Sequence, residues 1–216
     1  MSTEDRILPL FPLNTVLFPD STLPLQIFED RYKSMMKYCL ERDSTFGVVL
    51  IKTGQEVGAP ATPHSIGTVA HITDVQRFAD GKMLVSVVGQ QRFKINDLIQ
   101  YHPYIEAKIE ILDDRDESLM PSVEFEAIQA AMSKYLRLSA GLRGGWIRNP
   151  KVPSDPTLLS YFIGGALTLG LREKQTLLEE LSTSRRLEQE LDMLRNEINE
   201  IKLKLTFEMR RKVSRQ

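Results

Sequence analysis

Hydrophobic and polar residues alternate along the first half of the chain in a way that is typical of β-strands. From Ile105 to Ile111 every second residue is apolar, and the residues between them are charged. This period of two predicts a strand with one buried and one solvent-facing side. The β-branched run from Phe46 to Ile51 predicts a buried strand. Asp80-Gly81 between two long apolar arms predicts a tight hairpin in which both turn residues have positive φ.

The N-terminal apolar stretch from Leu8 to Leu13 is interrupted by Pro9 and Pro12. Proline has no N–H group to donate to a neighbouring strand, so within sheets it is confined to edges, bulges and strand ends. We therefore expect an edge strand or an extended arm at this position.

One amphipathic helix is predicted within this β-rich half. Its apolar residues recur at helical spacing, and charged residues occupy the remaining face. The apolar stripe consists of Tyr32, Met35, Met36, Cys39 and Leu40. We expect the helix to lie against the sheet and to bury this stripe.

The second half of the chain has the apolar spacing of α-helices. The charged run at 113–117 is too polar for a core, and we take it as the boundary between a β-rich lobe (1–116) and a helical lobe (117–216). The patterns together predict an α+β fold. A twisted N-terminal β lobe with one packed helix is followed by a C-terminal helical lobe that ends in a long helix.

The last helix is predicted from Ser184 to about Val213, a length of roughly 40 Å. It carries a heptad-like apolar seam formed by Leu187, Leu191, Leu194, Ile198, Ile201 and Leu205. Beyond Ile198 the seam either packs onto the chain's own helical lobe or pairs with another chain. In the second case the candidate contacts to a partner helix are Ile198, Ile201 and Leu205.

The composition of the 216 residues is that of a soluble globular protein, with 42% hydrophobic and 26% charged residues. The formal net charge of −1 gives no general attraction to nucleic acid or to an anionic membrane. The N-terminus does not resemble a signal peptide, no window is apolar enough to span a membrane, and the single cysteine fits a reducing compartment. We therefore expect a cytoplasmic protein.

Residues with catalytic or ligand-binding chemistry are few. None of the histidines has the spacing of a metal site, and the sequence has no G-x-x-x-x-G-K-S/T loop for nucleotide phosphates. Cys39 together with His71 could form a nucleophile, but its place on the apolar stripe favours a buried structural cysteine. We predict no catalytic, cofactor-binding or metal-binding residues and no enzymatic activity.

Two aromatic residues are the candidates for binding a polypeptide. Trp146 lies in a glycine-rich loop, where it could anchor a partner or pin the loop onto the helical lobe. Phe78 lies beside the Asp80-Gly81 turn, where it could project from the hairpin or close the end of the β core. For both residues the second, structural interpretation is favoured.

Several of these stretches, in this order, resemble the N-terminal substrate-binding domain of Lon proteases. They are the proline-punctuated start Leu8–Asn14 with Val16–Pro19 and Leu23–Leu25, the G-T-V-A strand at Ile66–Ala70, the G-x-x-R-F strand at Gly89–Phe93, the K-Q-x-L-L-E helix at Leu171–Glu179, and the long helix from Leu187. The resemblance covers nearly the whole chain. It implies that the β lobe is a PUA-like pseudo-barrel and that the protein recognises other proteins.

Full-length Lon proteases continue into an ATPase and a protease domain, whereas this chain stops at Gln216 without the motifs of either. We therefore interpret it as a free-standing, non-catalytic polypeptide-binding module with a substrate-recognition or adaptor role in protein quality control. Its expected partners are unfolded or tagged polypeptides and a separate ATP-dependent protease. The alternatives are a scaffolding protein that forms a homodimer through its C-terminal helix, and an RNA-binding PUA-like module, against which the near-neutral charge weighs.

Overall fold

The computed structural model describes residues 6–58, 61–100, 103–114 and 121–213. Within these residues the first half contains β1 (Arg6–Leu13), β2 (Thr22–Ile27), α1 (Asp30–Leu40), β3 (Thr45–Thr53), β4 (Thr62–Arg77), β5 (Met83–Gln100) and β6 (Ile105–Leu112). The second half contains α2 (Ser122–Leu142), α3 (Pro156–Ala166), α4 (Leu171–Glu179) and α5 (Thr183–Val213). The predicted α+β fold class is confirmed.

The strands form a sheet that closes on itself. Their order is β2-β5-β4-β3-β1-β6, and β6 also pairs with β5. Strand β5 makes this closure because it is long: its first residues pair with both β2 and β4, and its last residues pair with β6. Strands β1 and β3 are parallel, and the other pairs are antiparallel. The expected twisted β lobe of the pseudo-barrel type is confirmed.

Strand β1 lies between two neighbours, so the expectation of an edge strand or an extended arm is wrong. Its residues 6–10 pair with β6, and its residues 10–13 pair with β3. Pro9 lies in the half that pairs with β6, and Pro12 lies in the half that pairs with β3. Each half of β1 thus forms hydrogen bonds with a neighbouring strand on one side only. A proline fits in such a strand when its backbone nitrogen, which has no hydrogen to donate, faces the other side.

Helix α1 buries the predicted stripe. Its residues Tyr32, Met35, Met36 and Cys39 are buried in one hydrophobic core with residues of the sheet, and Leu40 packs against that core. Burial raises the pKa of the Cys39 thiol to about 12, and the nearby Asp43 acts in the same direction. The thiol therefore stays protonated at neutral pH, which agrees with its burial beneath the sheet-facing side of α1; the predicted burial of Cys39 is confirmed.

Strand β6 confirms the prediction from its period of two. Ile105, Ala107 and Ile109 are buried, and the residues between them are half-buried. The three belong to a second hydrophobic core whose other members are Leu8, Leu10, Val49, Val69 and Phe93.

Two glycines mark places where backbone segments meet too closely for a side chain. A Cβ atom at Gly89 would lie 2.3 Å from the carbonyl oxygen of Phe18. A Cβ atom at Gly67 would lie 2.5 Å from the carbonyl oxygen of Val48. Since a backbone oxygen cannot move aside as a flexible side chain can, any other residue at these positions would displace a strand.

The chain divides into two compact units, and α4 belongs with the strands. The β unit comprises Met1–Asp113 and Leu169–Leu181, and the helical unit comprises Asp114–Thr168 and Ser182–Gln216. The boundary predicted between residues 116 and 117 lies outside the described residues and stays a prediction.

Helix α4 is fastened to the strands by two polar side chains. Arg92 of β5 is buried, and its Nη1 donates hydrogen bonds to the carbonyl oxygens of Leu178 (2.8 Å) and Glu180 (2.7 Å). Carbonyl groups at a helix C-terminus have no partner within the helix, and a cation is favoured beside them. The side-chain amide of Gln175 donates a further bond to the carbonyl oxygen of Ile66 (3.0 Å). The G-x-x-R-F and K-Q-x-L-L-E stretches thus form one structural device.

In the helical unit α5 packs against α2 and α3. Ile198 and Ile201 are each only 5% exposed, and Leu205 is half-buried. The first two residues therefore pack within their own unit and are not available to a partner helix, which corrects that candidate assignment. A contact of Leu205 with a partner helix stays a prediction.

A buried cluster of charged groups lies between α3 and α5. The Arg186 side chain donates to Ser160 Oγ and to Asp114 Oδ1 (3.0 Å), and its guanidinium carbon lies 4.5 Å from the centroid of the Tyr161 ring. Glu190 is also fully buried, beside Arg186 and Ser160. Burial raises the pKa of Glu190 well above its usual value of 4.5, and the charge of Arg186 opposes this shift.

We predict that Arg92→Met destabilises the protein by about 2–4 kcal/mol, because two buried carbonyl groups at the end of α4 lose their donor. Urea unfolding measures the change. The matched control is Arg172→Met, since Arg172 is an exposed arginine of α4. This change is expected to alter stability by less than about 0.5 kcal/mol. A variant at Arg92 that is as stable as the control would contradict the role of this side chain.

The buried carboxyl of Glu190 predicts a pH-dependent stability. The folded state holds its proton more tightly than the unfolded state, so its contribution is full below about pH 4.5 and is lost as the pH rises through the raised pKa. Between these two limits, wild type is expected to lose up to about 1.4 kcal/mol per pH unit relative to Glu190→Gln. Urea unfolding from pH 5 to pH 8 measures this difference. The exposed Glu188 provides the control Glu188→Gln; parallel curves for all three proteins would show that Glu190 does not titrate abnormally.

Candidate functional site

The hairpin between β4 and β5 ends in a short, well-defined loop. The N–H of Phe78 donates to the carbonyl oxygen of Lys82 (2.9 Å), and the N–H of Gly81 donates to that of Phe78 (3.0 Å). Gly81 has a φ of 79°, whereas Asp80 is not among the residues with positive φ. The hairpin is thus confirmed, but it closes through the three residues 79–81 with one left-handed glycine, and the predicted two-residue turn is wrong.

The side chain of Asp80 stabilises this loop. Its Oδ1 accepts a hydrogen bond from the N–H of Lys82 (3.1 Å), and its Oδ2 lies 2.8 Å from Lys82 Nζ. The hydrogen bonds from Lys82 lower the pKa of the Asp80 carboxyl. The aspartate is therefore charged at neutral pH, and its contacts with Lys82 stabilise the loop that follows Phe78.

Two phenylalanines are exposed at this end of the β unit. Phe78 is 46% exposed and Phe28 is 47% exposed. Phe28 directly follows Ile27, the last residue of β2, which pairs with Met83 at the start of β5. The expectation that Phe78 closes the β core is wrong, because the three-residue loop carries it beyond the last strand pair.

The first groove lies between the hairpin and α1. It encloses about 540 Å³ and is lined by Lys33, Lys37, Leu40, Glu41, Arg77, Phe78, Gly81, Lys82 and Met83. Lys33 and Lys37 are four residues apart on one face of α1, and Glu41 directly follows the helix as its C-cap. Leu40, Met83 and Phe78 provide apolar surface beneath these charged groups.

The second groove lies on the β2 side of Phe78. It encloses about 550 Å³ and is lined by Gln26, Ile27, Phe28, Phe78, Ala79, Asp80, Lys82, Met83 and Leu84. Its lining thus combines the two phenylalanines with apolar residues of β2 and β5. The two grooves with Phe78 between them are called the hairpin site below.

The two grooves differ in charge. Lys33 pairs with Asp30 (3.0 Å) and Lys82 pairs with Asp80. Lys37 and Arg77 of the first groove make no ion pair with any residue in the described part of the chain. The first groove thus carries unneutralised positive charge beside apolar surface, whereas the charged residues of the second groove neutralise each other.

Trp146 is 80% exposed in the loop that follows α2. The favoured expectation that it pins this loop is therefore wrong, and Trp146 stays a candidate for contact with a partner. It belongs to the helical unit, whereas Phe78 belongs to the β unit. Among the residues of α5 whose burial the structure describes, the exposed large apolar ones are Leu203 (60%) and Phe207 (66%). A helix–helix contact with another chain is therefore better served by these positions than by Ile198 or Ile201.

Sequence analysis missed Phe28, Lys37 and Arg77 as parts of a site. Phe28 follows an apolar strand, and its pattern gives no sign that it points away from the core. Lys37 was assigned correctly to the polar face of α1, but only the folded hairpin shows that this face borders a groove. Phe28 follows β2 and Phe78 follows β4, and only the fold shows that both strands pair with the start of β5, which brings the two residues to the same end of the sheet.

The described residues contain no group of three or more histidine, cysteine, aspartate or glutamate side chains placed to hold a metal ion. Among the same residues, no helix has both the length and the apolar character that a membrane span requires.

Residues 7–196 match the family model of the ATP-dependent protease La (Lon) substrate-binding domain. The Lon protease of Anaeromyxobacter dehalogenans is 28% identical over 203 residues, which are 91% of this chain and 24% of that protein. The Lon protease of Flavobacterium johnsoniae is 30% identical over 211 residues, which are 91% of this chain and 25% of that protein. The chain thus spans about a quarter of the length of these curated relatives.

Solved structures agree with this match. The Lon N-terminal domain protein from Xanthomonas campestris is 26% identical, has a TM-score of 0.64, and aligns with 87% of this chain and 98% of its own. The N-terminal domain of the Lon protease from the Mycobacterium avium complex, at 20% identity and a TM-score of 0.57, shares the fold.

The exposure of Phe78 predicts that its side chain contributes little to folding. Phe78→Ser is expected to change the free energy of unfolding by less than about 0.5 kcal/mol. Phe93→Ala is the contrasting variant, because Phe93 is fully buried and its truncation is expected to cost about 3–5 kcal/mol. Urea unfolding of both variants measures the difference. A loss of several kcal/mol in Phe78→Ser would place this residue in the core after all.

Proposed function

Since the chain belongs to the Lon substrate-binding domain family, we propose that it binds unfolded or tagged polypeptides at the hairpin site and does so without catalysis. The observation that carries this proposal is the pair of exposed phenylalanines at one end of the β unit. Phe28 follows β2, Phe78 precedes the hairpin loop, and grooves with apolar surface lie beside them. In this proposal the protein serves as a substrate-recognition module or adaptor in protein quality control, and its further partner is an ATP-dependent protease.

Apolar side chains of an unfolded polypeptide fit this surface for a physical reason. Leaving two aromatic rings in water is unfavourable, and covering them with apolar groups recovers about 25 cal/mol for each Å² removed from water. Large aromatic residues commonly dominate the energy of protein interfaces. Because the loop and the neighbouring strands are already ordered, binding does not have to order them first. Folded proteins keep such side chains buried, so the site discriminates in favour of unfolded chains.

The proposal predicts saturable binding that depends on the two phenylalanines. Fluorescence anisotropy of a labelled, permanently unfolded polypeptide with several aromatic residues is measured against increasing protein concentration at moderate salt. Replacing both residues (Phe28→Ser with Phe78→Ser) is expected to weaken binding at least tenfold, which corresponds to about 1.4 kcal/mol. Trp146→Ser is the control, since it removes an aromatic ring that is more exposed (80%) than either phenylalanine and that belongs to the helical unit.

Two outcomes would contradict the proposal. The first is the absence of saturable binding up to high micromolar concentrations of folded protein. The second is full binding by the double variant together with weak binding by Trp146→Ser, which would place the polypeptide on the helical unit. Circular dichroism and urea unfolding confirm in each case that the variant is folded.

A further inference from the structure

We propose that the hairpin site selects polypeptide segments in which acidic residues flank a large apolar residue. This inference rests on the proposed function and adds the chemical class of the segment. It places the apolar side chain against Phe28 and Phe78, and the neighbouring acidic side chains in the first groove.

The charges of the first groove support this selection. Four cationic side chains line it, Lys33, Lys37, Arg77 and Lys82, against one acidic side chain, Glu41. Two of the four have an aspartate partner nearby. Lys37 and Arg77 have no such partner among the described residues, so they can offer their hydrogen-bond donors to a bound group without breaking an existing ion pair.

The chemistry of these two side chains favours a carboxylate. Lys37 and Arg77 come from different elements, α1 and the end of β4, and both line the same groove. Ammonium and guanidinium groups form their strongest hydrogen bonds with carboxylate oxygens. A lysine or arginine in the bound segment would instead meet charge of its own sign, and like charges at an interface disfavour the wrong partner.

The difference between the grooves assigns the acidic and the apolar residues of the bound segment to different sides of Phe78. The second groove contains one aspartate and one lysine that already pair with each other, beside Ile27, Met83 and Leu84. It therefore suits an uncharged apolar side chain. The acidic residues are consequently expected on the α1 side of the apolar residue bound beside Phe78.

The test uses three peptides with acetylated N-termini and amidated C-termini, so that only side chains carry charge. They share one apolar core. They differ in the pair of residues next to this core, which is Asp-Asp, Ser-Ser or Lys-Lys. At low salt the protein is expected to bind the aspartate peptide about fivefold more tightly than the serine peptide, which is the size of effect that two exposed ion pairs, with Lys37 and Arg77, can produce. The lysine peptide is expected to bind more weakly than the serine peptide. The differences are expected to shrink as salt is added.

A charge-reversed protein makes the test specific for the groove. Replacing Lys37→Glu together with Arg77→Glu is expected to reverse the order of the aspartate and lysine peptides while the serine peptide binds as before. The control Arg148→Glu with Lys151→Glu changes the net charge equally at exposed positions of the helical unit and is expected to keep the wild-type order.

The outcomes separate this inference from the proposed function. Equal affinity of wild type for all three peptides overturns the acidic preference and leaves polypeptide binding intact. Failure of all three to bind overturns the proposed function itself. An unchanged order in the groove variant, or a reversed order in the control, also overturns the assignment to Lys37 and Arg77. The same series made with free C-termini shows whether a chain-terminal carboxylate is bound instead of acidic side chains.

Discussion

The buried guanidinium of Arg92 is the interaction on which the architecture of the β unit depends. The chain leaves this unit after Asp113 and returns for residues 169–181, so α4 has no covalent neighbour among the strands. Arg92 joins α4 to β5 through the carbonyl groups that the helix itself leaves unpaired. Two stretches far apart in sequence thereby form one contact between α4 and β5. A change in either stretch leaves the hydrogen-bonding groups of the other without their partner.

Strand β5 connects this fastening to the candidate site. Arg92 lies in the middle of this strand, and the residues from there to its end close the sheet with β6. Its first residues pair with β2 on one side and with β4 on the other. A strand held on both sides has little freedom to move, so the loop that precedes it presents Phe78 on a rigid base. Such preorganisation lowers the entropy that binding has to overcome. The strand pairing of β5 therefore both closes the barrel and supports the affinity proposed for the hairpin site.

The regular patterns of the sequence predicted much of the fold, and the errors lie where tertiary contacts decide. Periodicity identified β6 and α1 because each has one buried face. The prolines of β1 suggested an edge, since sequence does not show that its two halves pair with different strands. On α5 the apolar seam included Leu191, which is only half-buried, whereas the neighbouring Glu190 is fully buried one helical turn after Arg186. Phe78 was assigned to the core because hydrophobicity alone does not say on which side of a loop a ring lies.

The distribution of charged and apolar residues is inverted at three places in this protein, and the inversion separates structure from function. Arg92 and the Arg186–Glu190 cluster bury charge where elements are joined, and there hydrogen bonds or an opposite charge offset much of the cost. Phe28 and Phe78 expose apolar surface where no element covers them. Burial of charge helps to specify which elements meet, whereas exposure of aromatic rings contributes nothing to folding and favours association. A surface of the second kind suits a partner that covers it. The cations beside it that form no ion pair within the described residues are the basis of the proposed preference for an acidic segment.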